Sequence, residues 1–79
     1  MNYAIKSVKV LENYNLLLTF ETDEKKIYDM KPHLNSGIFE ELKNESEFKK
    51  VRVSFDTIEW ENGTDIDPEA LYQDSRLEK

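Results

Sequence analysis

The chain has 79 residues, 38% hydrophobic and 35% charged, with a net charge of −6, a size that holds one small domain and not two. It contains no cysteine, which excludes a disulfide, thiolate catalysis and a Cys-based zinc site. The longest apolar run, Leu16-Leu17-Leu18, is far shorter than the roughly 20 residues of a membrane span, and the N-terminus lacks the basic-then-apolar layout of a signal peptide; the expected location is cytoplasmic.

Residues 7–12 alternate loosely, with Val8 and Val10 on one side and Lys9 on the other. Residues 14–20 alternate clearly: Tyr14, Leu16, Leu18 and Phe20 share one face, while Asn15, Leu17 and Thr19 share the second. Glu12-Asn13 between them reads as a turn, so the two segments predict a hairpin. Thr22 to Lys25 is polar and predicts the next turn, followed by a short strand from Lys26 to Met30 with Tyr28 and Met30 on one face. Lys31 precedes Pro32, which ends that segment. The period then changes: Phe39 and Leu42 are spaced for one face of a short helix, with Asn35 or Ser36 as its cap. Asn44-Glu45-Ser46-Glu47 resembles a capping box and predicts one helical turn carrying Phe48.

Residues 50–61 predict a second hairpin. A two-residue turn at Asp56-Thr57 sets Phe55 opposite Ile58 and Val53 opposite Trp60 on an apolar face, and Arg52 opposite Glu61 on a charged one. Asp-Thr is a weak turn pair, so a longer loop and a shifted register stay open. Asn62-Gly63 predicts a turn. Asp67 then caps a short helix with Pro68 at its first position, Glu69 near the positive end of the dipole and Ile66 stapled to Leu71. That helix is expected to run to about Tyr72, with a frayed tail over 73–79. The whole predicts a single α+β domain over 1–79: a small antiparallel sheet of about five strands, with two or three short helices packed on it.

The charge is unevenly placed. Residues 1–55 carry nine acidic and nine basic side chains, whereas residues 56–79 carry eight acidic and two basic. Nucleic-acid binding needs clustered Lys and Arg, and here the basic residues are diluted among acids. The acidic last third serves either solubility or docking to a basic partner, since complementary charge steers association.

Few residues point to catalysis. The only histidine, His33, lies beside Pro32 and reads as an exposed loop histidine. Two glycines, Gly37 and Gly63, cannot build a phosphate-cradling loop. Glu61, Asp65, Asp67 and Glu69 crowd one stretch, but Ile66 stands where a calcium loop starting at Glu61 needs Gly. No metal, cofactor or catalytic residue is assigned. The candidate partner-binding residues are Trp60, Asp65, Glu69, Tyr72 and Asp74. Trp and Tyr favour interfaces, although each of these two also suits the core.

The pattern Ile58-x-Trp60-x-Asn62-Gly63-x-Asp65-Ile66-x-Pro68-Glu69-x-Leu71-Tyr72 resembles the signature of a prokaryotic family known as domain of unknown function 2442. Tyr14-x-Leu16-x-Leu18-x-Phe20, Asp29-Met30, Phe39-x-x-Leu42 and Phe48-x-x-Val51-x-Val53 agree with it, so the likeness covers roughly residues 5–72. Two departures fall in loops: Glu21-Thr22-Asp23-Glu24 where the family often has Asp-Gly, and Glu61 where it often has Pro. The resemblance implies a small α+β domain and no known catalytic residue. Some relatives carry a C-terminal helix-turn-helix domain, which a chain ending at Lys79 is expected to lack. Relatives are often encoded beside suspected toxins, which implies an antitoxin-like partner role.

Three functions follow as expectations. The first is a non-catalytic protein-binding module, antitoxin-like, for a basic protein. The second is a self-associating homodimeric domain, and the third a carboxylate-based metal-dependent enzyme. No nucleic acid and no membrane is expected as partner.

Overall fold

The computed structural model describes residues 3–78; Met1, Asn2 and Lys79, which belong to the N-terminal and tail readings above, lie outside the described residues. The fold is α+β. Its strands are β1 (Ile5–Val10), β2 (Asn15–Phe20), β3 (Lys25–Asp29), β4 (Arg52–Ser54), β5 (Thr57–Glu59), β6 (Asp65–Ile66) and β7 (Arg76–Leu77). Its α-helices are α1 (Glu45–Phe48) and α2 (Pro68–Asp74). Among the described residues there are thus two antiparallel sheets, ordered β1-β2-β3-β7 and β4-β5-β6, where a single sheet of about five strands was expected.

The alternation of β2 sets the first sheet. Leu16, Leu18 and Phe20 are buried while Asn15, Leu17 and Thr19 are half-buried. Their partners on β1 are Val10, Val8 and Ile5, which are not evenly spaced. A bulge between Ile5 and Ser7 inserts Lys6 and shifts the phase by one residue, so that Ile5 joins Val8 and Val10 on the core face. The β1–β2 turn centres on Asn13 and Tyr14, both at positive φ (60° and 61°), one residue later than Glu12-Asn13. Tyr28 and Met30 are buried as expected.

Between the sheets the chain runs through two 3-10 segments, Lys31–His33 and Gly37–Lys43. The second forms the short helix expected around Phe39 and Leu42, wound as 3-10, and Ser36 precedes it without a side-chain cap. Gly37, at φ +52°, lets the chain enter it. Asn44 caps α1 through its side-chain oxygen, which accepts from the Ser46 and Glu47 amides (2.9 and 3.4 Å).

The second sheet departs most from expectation. Val53 pairs with Ile58 and Ser54 with Thr57, so the turn residues are Phe55 and Asp56, at φ 48° and 73°. Arg52 consequently faces Glu59 and not Glu61. Asp56 is a turn residue in either register, and the shift exchanges Thr57 for Phe55 at the other left-handed position, which spares the β-branched residue a positive φ. The turn moves back by one residue, and Phe55 leaves the core. After the Asn62-Gly63 turn, with Gly63 at φ +88°, the chain returns as β6 beside β5.

One core joins the two sheets, the 3-10 link and both helices: Leu16, Leu18, Phe20, Tyr28, Met30, Leu42, Phe48, Ile58, Trp60 and Leu71 are all buried within it. As far as it is described, the stretch expected to fray does not run free. Helix α2 continues to Asp74, and β7 adds to the edge of β3 through Lys26–Leu77 and Ile27–Arg76 pairing. Among the described residues no helix is long and apolar enough to cross a membrane.

Candidate partner-binding surface

Trp60 does not belong to an accessible surface. It is fully buried, its ring stacks on Phe48 at 6.0 Å, and its indole N–H donates to the Phe48 carbonyl (2.9 Å). A ring that large with its one donor satisfied is a core pillar, so its selection as a partner-binding residue is corrected.

Tyr72 is half-buried and joins α2 to the first sheet. Its ring meets Phe20 edge-on at 5.1 Å and Tyr3 at 4.9 Å. Its hydroxyl donates to Glu24 Oε1 (2.8 Å), and this bond, aided by burial, raises the phenol above its ordinary pKa. Lys26 Nζ sits 3.9 Å from the ring centroid and donates to the Tyr72 carbonyl (2.7 Å). Most of the polar and aromatic capacity of Tyr72 is therefore used within the chain.

The three acidic candidates are exposed. Asp67 caps α2 by accepting from the Ala70 amide (3.3 Å), which leaves Asp65 just before the cap and Glu69 in the first helical turn. Glu69 accepts from the Gln73 side chain one turn on (3.3 Å). Asp74 ends the helix. Its charge, second to burial, pushes the Tyr28 hydroxyl upward. Glu69 and Asp74 are five positions apart, roughly 140° around the helix axis, so α2 does not present them on one face. Asp65 and Glu69 flank the β6–α2 junction together.

Across the second sheet, Arg52, Glu59 and Asp65 form one row, since Glu59 pairs with Arg52 on one side and with Asp65 on the other. Arg52 bridges to Glu59 at 3.2 Å, and Lys50 lies 3.6 Å from Glu61. The β4 side of this face is thus neutralised. On the β6 and α2 side, Asp65, Asp67, Glu69 and Asp74 have no cation within 4.0 Å among the described residues. Asp65 directly opposite Glu59 is a repulsive pair.

His33 is not an exposed loop histidine. It is half-buried, its Nε2 lies 2.8 Å from the Tyr28 hydroxyl, and its ring stacks on Tyr28 at 5.7 Å and meets Phe39 at 5.6 Å. Among the described residues no group of three or more His, Asp or Glu side chains converges as a metal ligand set.

Two features escaped the sequence reading. Phe55 is 98% exposed at the tip of the β4–β5 hairpin, two residues beyond the partly exposed Val53. An open groove of about 970 Å³, lined by Val10, Leu11, Tyr14 and Phe48 together with Glu12, Glu45 and Lys49, lies at the β1–β2 turn. The groove needs residues from two distant segments and has no sequence signal. Phe55 had one, in the unfavourable placement of Thr57 at a left-handed position.

No curated protein and no solved structure matches the chain. The family match covers residues 5–76 and thus spans both sheets, both helices and the start of β7. The chain belongs to the family described as Protein of unknown function (DUF2442).

Proposed function

We propose that this protein is a non-catalytic binding module for another protein, a basic one, acting in the cytoplasm in an antitoxin-like role. The observation that carries the reading is the exposed set Asp65, Asp67, Glu69 and Asp74 on β6 and α2, without cationic partners within 4.0 Å among the described residues. These carboxylates lie where the chain places its excess negative charge, and they favour a partner that brings Lys and Arg. The antitoxin-like form of the reading rests on what the family resemblance implies, since its members are often encoded beside suspected toxins. Trp60 and Tyr72 hold the fold that displays these groups.

The test starts from tagged capture out of the native host at low salt and continues with the purified pair. Binding is expected to weaken steeply between low and physiological ionic strength. Neutralising Asp65→Asn, Glu69→Gln and Asp74→Asn together is expected to reduce affinity at least about tenfold. Affinity indifferent to both salt and the triple substitution overturns the electrostatic reading.

A further inference from the structure

The Asn62-Gly63 turn between β5 and β6 joins two residues that can react with each other. With no side chain on Gly63, nothing shields its nitrogen from the side-chain carbonyl carbon of Asn62. No heavy atom lies within 4 Å of the place where a Cβ would stand on Gly63, and the residue is exposed, so water reaches the pair. The turn nevertheless holds each reacting group elsewhere. The Gly63 amide donates to the Trp60 carbonyl (2.9 Å), and the Trp60 amide donates to the Thr64 carbonyl (2.8 Å). Gly63 at φ +88° completes the three-residue loop. Asn62 Oδ1 accepts from the Thr64 amide (3.0 Å), and Asn62 Nδ2 donates to Glu41 Oε1 on the 3-10 segment Gly37–Lys43 (2.9 Å). Trp60, at the base of the loop, is fully buried and anchored on the Phe48 carbonyl.

We propose that Asn62 is a site of spontaneous deamidation that the fold holds silent, and that its conversion releases the β5–β6 turn from the 3-10 link. The reaction needs only water. The Gly63 nitrogen loses its proton to hydroxide and attacks Asn62 Cγ. The new N–Cγ bond forms, the Cγ–Nδ2 bond breaks, and Nδ2 leaves as ammonia after taking a proton from water. Water then opens the five-membered imide at one of its two carbonyls, giving aspartate or isoaspartate. In the native turn the nucleophile is protonated and bonded to Trp60, and the leaving amide is bonded to Glu41. Attack therefore waits on local opening of the loop.

Conversion has a structural consequence because of Glu41. Its carboxylate accepts from the amide that is lost, so either product sets a second carboxylate against it and replaces a hydrogen bond with repulsion. Isoaspartate adds a further change, since it inserts a methylene into the main chain between Trp60 and Thr64, the two residues that close the loop. Thr64 is buried, which leaves that displacement little room. The acidic surface on β6 and α2 takes no part in the reaction, and the inference stands or falls independently of the basic-partner reading.

Peptide mapping by mass spectrometry, after timed incubation of the purified chain at mildly alkaline pH, tests the proposal. Conversion at Asn62 is expected to run at least about tenfold more slowly in native buffer than in unfolding guanidinium, because only the opened loop reacts. Glu41→Ala frees the leaving amide. It is expected to convert several-fold faster than wild type in native buffer and at the same rate in guanidinium. Equal native and unfolded rates for the wild type, or no conversion in guanidinium, overturns the silenced site. A native rate that Glu41→Ala leaves unchanged removes Glu41 from the restraint. Asn62→Asp reproduces the simpler product, and its melting temperature is expected to fall by a few degrees. Adding Glu41→Gln, which restores an amide facing a carboxylate, is expected to recover most of that loss. A melting temperature indifferent to Asn62→Asp, or a loss that Glu41→Gln does not recover, overturns the release of the turn.

Discussion

The two hairpins solve the same turn problem with opposite consequences. Each turn holds two residues at positive φ, Asn13-Tyr14 in one and Phe55-Asp56 in the other, and each pairs one tolerant Asn or Asp with one aromatic. Tyr14 folds back: its ring lies edge-on to Phe48, its hydroxyl donates to the Lys43 carbonyl, and its carbonyl accepts from the Met30 amide (2.9 Å). Phe55 has no ring contact among the described residues and projects into solvent. Left-handed backbone at a bulky residue costs roughly 1–2 kcal/mol in either case. In the first turn packing of the ring offsets that cost, whereas in the second the ring makes no such contact among the described residues and only the backbone is held, through the Ile5 amide and the Asp56 carbonyl. An unfavourable conformation that the surroundings do not compensate is a reason to look for a use outside the fold.

Glycine placed at each aromatic should separate the two cases most sharply. Tyr14→Gly relieves the backbone but removes an aromatic contact, a hydrogen bond and a half-buried ring, for a net loss of about 2–3 kcal/mol. Phe55→Gly relieves the same backbone and removes nothing within the monomer, so it is expected to stabilise by about 0.5–1 kcal/mol despite the greater freedom of glycine in the unfolded chain. Urea unfolding measures both. Destabilisation by Phe55→Gly means that the exposed ring has a role inside the monomer, and the contrast between the turns collapses.

The same contrast shows which parts of the fold could be read beforehand. Asn44 and Asp67-Pro68 announce their helices because capping is chemistry between near neighbours, and both caps form. Leu16, Leu18 and Phe20 announce β2 because period-2 burial needs only one strand. The Lys6 bulge, β6 and β7 could not be read the same way. Asp65-Ile66 and Arg76-Leu77 are two-residue strands with no alternation to detect, and they exist because β5 and β3 present partners to them. The candidate surface divides likewise. An acidic excess is visible in composition, and the exposure of Asp65, Glu69 and Asp74 agrees with their charge. Whether Trp60 faces solvent or core depends on Phe48, twelve residues away, whose carbonyl takes its indole proton.

The smallest expected effects fall on the tolerant partners of the two aromatics. Asn13→Gly and Asp56→Gly replace residues whose short polar side chains already reach the left-handed region at low cost. Glycine there gains a few tenths of a kcal/mol from relaxed geometry and loses a comparable amount to unfolded-chain entropy, so each substitution should stay within about 0.5 kcal/mol of wild type. Denaturation midpoints of the two variants at equal m-value test this. If either gains as much as about 1 kcal/mol, the strain resides in the Asn or Asp and not in the aromatic. Phe55 would then be exposed without being unfavourably held, and the argument for an external use would rest on its exposure alone. If both stay near zero while Phe55→Gly gains stability, the unfavourable conformation is localised to the one residue that also lacks contacts.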